Sequence, residues 1–172
     1  RDTVKAVVAA GTVEGWRAAV APVLSAHPRA AYAMAAAVVP PMLRLFAPVG
    51  SAFALDLSGN SSVGKTTALK LAASIWGSER IAGAMRGLPI FRDESQLADD
   101  LTAAGNFVYE VTQGRGKARG TVTGTQRSVQ FESVLISTGE TPLSGLREAG
   151  GLVARCVTIW GPIFGGDSPT TK

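Results

Sequence analysis

Residues Gly59-Asn60-Ser61-Ser62-Val63-Gly64-Lys65-Thr66 match the pattern G-x-x-x-x-G-K-[ST] in full. Such a run can hold phosphate. Glycines let successive backbone N–H groups turn inward, the lysine reaches the terminal phosphates, and the threonine hydroxyl ligates Mg²⁺. Gly59, Asn60, Ser61, Ser62, Val63, Gly64, Lys65, Thr66 and the adjoining Thr67 are therefore the expected ATP-binding residues, with Thr66 on the metal.

Four further groups extend this chemistry. Leu88-Pro89-Ile90-Phe91-Arg92-Asp93-Glu94 is an apolar segment ending in two carboxylates. Asp93 is expected to hold Mg²⁺, directly or through water, and Glu94 to orient and polarise the attacking water. Arg92 is unusual at such a position. Val134-Leu135-Ile136-Ser137-Thr138 ends in hydroxyls, and Ser137 or Thr138, with Thr138 ahead, would contact the γ-phosphate or the lytic water. Arg155, in Gly150 to Val157, stands at the mouth of a later strand. It suits an arginine that stabilises transition-state charge in a neighbouring subunit's site, with Arg147 as runner-up and a surface ion pair as the plainer account. Finally, Val111 to Phe131 carries Arg115, Lys117, Arg119 and Arg127 and no acidic residue. Lys117 and Arg119 are two apart and share a face on a strand. Small neighbours allow close approach, so this stretch suits a polyanion and is expected to neutralise phosphates without reading bases. A solvated basic hairpin would have the same composition.

These residues need a scaffold. Ala52 to Leu57 reads as a strand, Ser58 to Gly64 as a loop and Lys65 to Trp76 as a helix with an apolar stripe. Ile81 to Arg86 looks helical, Leu88 to Phe91 is a short strand, and Asn106 to Thr112 continues a helix. Gly114 to Val129 suggests a β-hairpin turning near Thr123-Gly124. Ser133 to Ser137 reads as a buried strand, and Leu152 to Trp160 contains another. Alternating strands and helices imply an α/β fold with a mostly parallel sheet flanked by helices. Before it, Trp16 to Leu24 and Ala30 to Val39 read as helices separated at His27-Pro28, and Pro40-Pro41 starts a new turn. Residues 1–50 would be a helical lead-in packed on the core, 51–166 the ATPase core and 167–172 a tail.

The 172 residues suit one domain, and 46% hydrophobic with 17% charged residues is a globular composition, not a disordered one. His27 is the sole histidine, so neither a His-based metal site nor a Ser-His-Asp triad can be built. Cys156 is the sole cysteine, which excludes an internal disulfide and fits a reducing cytosol. Residues 29–46 are apolar but interrupted by Arg29, Pro40, Pro41 and Arg44, so no membrane span is expected. Beginning at Arg1, the sequence reads as part of a longer protein, and no signal peptide is visible.

In this order the five groups resemble the AAA+ ATPases, and within them the MCM-like mobile-element helicases of domain-of-unknown-function family 927. The likeness is carried by Ser61 to Thr67, Ala72-Ala73-Ser74-Ile75-Trp76-Gly77, Gly87 to Phe91, Gln113 to Gly120, Leu135 to Glu140, and Arg155. The resemblance implies a P-loop NTPase of AAA+ type, with a β-hairpin inserted before the sensor strand that projects into a pore and grips single-stranded DNA. Lys117 takes that role by position, with Arg119 in support, and Arg155 that of the finger acting in trans. It implies ATP and Mg²⁺ as cofactors, a hexamer, and a cytoplasmic helicase or translocase.

Two features bear on that implication. Lys65 and Asp93 are 28 positions apart (93 − 65), too few for the helix, strand and second helix an AAA+ core places between them. The spacing predicts a missing segment between Trp76 and Arg80, at Gly77-Ser78, rather than a trimmed core. Other functions share the loop: a DNA-stimulated ATPase that loads or remodels partners without unwinding, a small-molecule or nucleotide kinase, and a switch that binds ATP without hydrolysis. The basic hairpin and Arg155 argue against a kinase, and Glu94 against the switch.

Overall fold

A computed structural model of the chain describes residues 10–46, 52–77, 87–93, 101–114, 120–121, 124–125, 132–145 and 153–165. The elements in order are α1 (Val13–Ala26), α2 (Pro28–Phe46), β1 (Phe53–Ser58), α3 (Lys65–Ala73), β2 (Ile90–Arg92), α4 (Leu101–Thr112), β3 (Gly120–Thr121), β4 (Gly124–Thr125), β5 (Val134–Gly139) and β6 (Cys156–Trp160), with a 3₁₀ turn at Leu143–Gly145 before β6. The main sheet has the order β2-β5-β1-β6 and every pairing in it is parallel.

Parallel strands are buried on both faces, and here side-chain alternation sorts them into two cores. Leu55, Leu57, Val134 and Ile136 face α2 and α3. Ala54, Ile90 and Leu135 face Val108 and Val111 of α4. Each fully buried aliphatic side chain contributes about 1.5–3 kcal/mol. Ala30, Ala33, Ala36 and Ala37 of α2 share the first core with Ala68, Leu69 and Ala72 of α3, so the two helices approach on small residues.

The helical lead-in differs from its sequence reading at its prolines. Pro28 occupies the first position of α2, where its missing N–H is harmless. The helix then runs through Pro40 and Pro41 to Phe46 instead of restarting there. Pro41 cannot donate to the carbonyl of Ala37, and the Trp76 indole N–H does so instead, at 2.9 Å. A side chain from the end of the α3 segment thus fills a gap that would otherwise weaken the helix.

Other boundaries move for identifiable reasons. β2 starts at Ile90, not Leu88, because Pro89 has no N–H for the ladder. α3 stops at Ala73, where the Ser74 hydroxyl donates back to the Leu71 carbonyl at 2.6 Å, and the turn ends at Gly77 with φ 106°. β3 and β4 pair antiparallel, Gly120 with Thr125 and Thr121 with Gly124, so the chain reverses between Thr121 and Gly124. The expected helix over Ile81 to Arg86 and the expected interruption at Gly77-Ser78 fall in residues 78–86, outside the described residues. Among the described residues β2 pairs on one side alone, with β5.

Candidate functional site

The carboxyl ends of β1, β5, β2 and β6 converge on one edge of the sheet, the usual place for a ligand in an open α/β sheet. There the loop 59–64 joins β1 to α3. Three of its residues have positive φ, Gly59 at 150°, Ser62 at 62° and Gly64 at 87°. Gly64 is needed twice over. An L-residue is strained at that φ, and a Cβ there would lie 2.6 Å from the ring of Phe164.

Lys65 opens α3 and is 7% exposed. Its Nζ donates to the carbonyls of Gly59 at 2.7 Å and Asn60 at 2.8 Å. The loop therefore wraps an ammonium at a helix N-terminus, where the backbone N–H groups and the helix dipole favour an anion. Beside it the Thr66 hydroxyl donates to Asp93 Oδ1 at 3.2 Å, and the Thr138 hydroxyl donates to the same oxygen. A cleft of about 290 Å³ is lined by Ser61, Ser62, Val63, Gly64, Lys65, Thr66, Thr67, Thr138 and Glu140. The structure thus brings together Lys65 and Thr66, Asp93, and Thr138 from three separate places in the sequence.

Ser137 goes elsewhere. Adjacent strand residues point to opposite faces, and the Ser137 hydroxyl donates to Asp56 Oδ1 at 3.2 Å, behind the sheet. Asp56 is fully buried. It also accepts from the Ser58 hydroxyl at 2.6 Å and the Leu143 N–H at 2.9 Å. A carboxylate amid the apolar run Phe53 to Leu57 was the available signal, and the sequence reading took the run simply as a strand. Glu140, two residues beyond Thr138, was also missed as a lining residue of the cleft.

Burial raises the Asp56 carboxyl above its ordinary value of 3.8, while hydrogen bonds from Ser58, Leu143, Ser137 and Thr158 oppose the shift. The folded chain therefore holds this proton more tightly than the unfolded chain. The associated stability is fully present below 3.8 and is lost as pH rises through the folded value. Asp56→Asn should remove that loss. Urea midpoints of the variant, relative to wild type, should rise as pH increases above 3.8. The opposite trend would mean that the hydrogen bonds outweigh burial.

Arg155 directly precedes β6, and its carbonyl accepts from the Ala54 N–H at 2.9 Å, at the amino end of β1. Trp160 pairs with Ser58 at the loop end. Arg155 and Trp160 are five positions apart along the strand, about 16 Å at roughly 3.3 Å per residue. Arg155 is thus far from the cleft of its own chain. Arg92 stacks on Phe107 of α4, with Cζ 5.3 Å from the ring centroid, which accounts for an arginine at the end of β2. Glu94, Arg115, Lys117, Arg119, Arg127 and the runner-up Arg147 lie outside the described residues. Burial, with the nearby Asp56 charge, pushes the Cys156 thiol up to about 11, so it is poorly reactive.

The family model described as "Domain of unknown function (DUF927)" matches residues 2–130. The chain belongs to the DUF927 family. The matched span of this DUF927 chain includes the loop, α3, Asp93 and β3–β4, and ends before β5. A solved structure titled "SCCmec type IV Cch - active helicase" is similar in fold, with a TM-score of 0.70 and 20% identity. The likeness covers 93% of the DUF927 chain and 33% of that protein, so the chain spans about a third of its length. No curated protein matches. Among the described residues no helix is long and apolar enough to cross a membrane.

Proposed function

We propose that this chain is the ATP-hydrolysing motor module of a ring-forming DNA helicase or translocase from a mobile element, a AAA+ P-loop NTPase working in the cytoplasm. The observation that carries this reading is the convergence of Lys65, Thr66 and Thr138 with Asp93 at the mouth of a loop built on left-handed Ser62 and Gly64. The helicase title of the solved structure of similar fold supports it.

The residues present fit Mg²⁺ and a nucleoside triphosphate. Thr66 and Asp93 offer hard oxygen donors, and among the described residues there is no cluster of three or more His, Cys, Asp or Glu that could form an all-protein cage. That suits a cation that keeps several waters and shares phosphate oxygens. When bound, Mg²⁺ neutralises charge that develops on the phosphates. Loop N–H groups from Ser61 to Thr66 bind the phosphates, and Lys65 turns from the Gly59 and Asn60 carbonyls toward the terminal one. Asp93 would hold Mg²⁺, directly or through water, Glu94 would orient the lytic water, and Thr138 would position Asp93 or that water. Arg155 completes a neighbour's site in a hexamer. Arg115, Lys117, Arg119 and Arg127 line the pore and meet DNA phosphates.

The deciding experiment is the ATPase rate with and without single-stranded DNA, beside the mass in solution with an ATP analogue. Stimulation by DNA in an oligomer supports the motor, whereas a monomer whose turnover ignores DNA points to a kinase-like P-loop protein. Stimulation without strand separation points to a loader or remodeller. Within the site, Thr138→Val should lower turnover by about tenfold or more while binding persists. Ser137→Ala should leave turnover within about twofold and cost roughly 1 kcal/mol of stability. Equal kinetic effects of the two would refute the division of roles between the faces of β5.

A further inference from the structure

We propose that Arg29, in the first turn of α2, is a positioning residue for the phosphate loop, and that nucleotide affinity depends on its hold on residues 160–162. The proposal rests on the nucleotide reading of that loop. Residues 161–164 touch the loop at both ends. The Gly161 N–H donates to the Ser58 carbonyl at 2.8 Å, and a Cβ on Gly59 would lie 3.0 Å from that same nitrogen. At the other end the Ile163 N–H donates to the Val63 carbonyl at 3.1 Å, and the Phe164 ring closes on Gly64.

This bracing segment lies beyond the end of β6, contains Gly161 at φ 94° and is followed by Gly165 at φ 73°. A Gly-rich segment of this kind gains much freedom when released. Arg29 Nη1 donates to the carbonyls of Trp160 at 3.1 Å and Pro162 at 2.7 Å, one on each side of Gly161. Both bonds are charge-assisted. From the same joint, His27 meets Phe164 edge to face, with ring centroids 5.3 Å apart.

A cation in the first turn of a helix is disfavoured by the helix dipole, so Arg29 gives α2 itself no advantage. Its two bonds act on the brace. Without them residues 161–164 populate more conformations, the fraction of loops in the binding geometry falls, and the apparent Kd rises in inverse proportion.

The test uses the full chain, a non-hydrolysable ATP analogue with Mg²⁺ in equilibrium titration, and steady-state turnover. Arg29→Ala should raise Kd by about tenfold and leave kcat at saturating ATP within about twofold. Trp16→Phe is the control for structural damage, because it removes another lead-in bond, from the Trp16 indole to Ser74 Oγ at 3.0 Å, away from the loop. It should lower the melting temperature and leave Kd unchanged. If Arg29→Ala does not fold, Arg29→Gln, which keeps an amide NH2 but loses the charge and the forked guanidinium, decides by the same titration. A wild-type chain that binds and an Arg29 variant that binds equally well overturn this inference alone. An equal loss of affinity in Trp16→Phe also overturns it. A wild-type chain that binds no analogue overturns both the inference and the nucleotide reading.

Discussion

Lys65→Ala is expected to lose nucleotide turnover, by at least about 10²–10³-fold, the effect of deleting one preorganised charge at a developing negative centre. The ammonium has three donors and spends two on the carbonyls of Gly59 and Asn60. It is thereby held at the N-terminus of α3, where the terminal phosphates of a nucleotide on this loop would lie. Alanine keeps the helix but removes the charge, and no nearby side chain in the loop can replace it. The fold should survive, because α3 docks through Ala68, Leu69, Ala72 and Ala73. Phosphate release with a parallel thermal melt checks both halves. Near-normal turnover in a folded variant would remove the phosphate loop from the catalytic account.

The loop was legible because its chemistry is local. Phosphate cradling needs glycines, a lysine and a hydroxyl at set spacing, so one run of eight residues is enough to name the candidate loop. The strands were legible too, since Ala52 to Leu57, broken only by Asp56, and Val134 to Ile136 are short apolar runs of the kind a doubly covered sheet carries. What the sequence concealed depends on contacts between distant residues. That Ser137 and Thr138 serve opposite faces follows from strand parity, but which face holds Asp93 does not. The role of Arg29 depends on a turn more than a hundred residues later, and Pro40-Pro41 remains helical because Trp76 supplies the missing donor. Asp56 illustrates the same limit. Its burial is intelligible only once hydroxyls from β1, β5 and β6 are seen to surround it.

Arg155→Ala is expected to be inactive alone, with a loss of about 10³–10⁵-fold if the residue is a finger acting in trans. The geometry makes that arrangement specific. Arg155 precedes β6, about 16 Å along the strand from the end that carries the loop, so the guanidinium cannot reach its own cleft. Any direct role in hydrolysis must be in another subunit, across a head-to-tail interface. A mixing experiment follows. Arg155→Ala chains keep an intact phosphate loop, and Lys65→Ala chains keep an intact arginine. In a randomly mixed ring at equal proportions, about one interface in four pairs the good loop with the good arginine. The mixture should therefore regain up to about a quarter of wild-type turnover if interfaces act independently, and less if the ring requires concerted firing. Titrating the ratio should give a maximum near equal proportions, because rescue varies as the product of the two fractions. Co-assembly must be verified by mass with differently tagged chains. Verified mixed rings without any rescue would show that Arg155 does not act across the interface, and since alanine keeps the backbone carbonyl that holds Ala54, any loss would then be attributed to the side chain's contacts within its own chain.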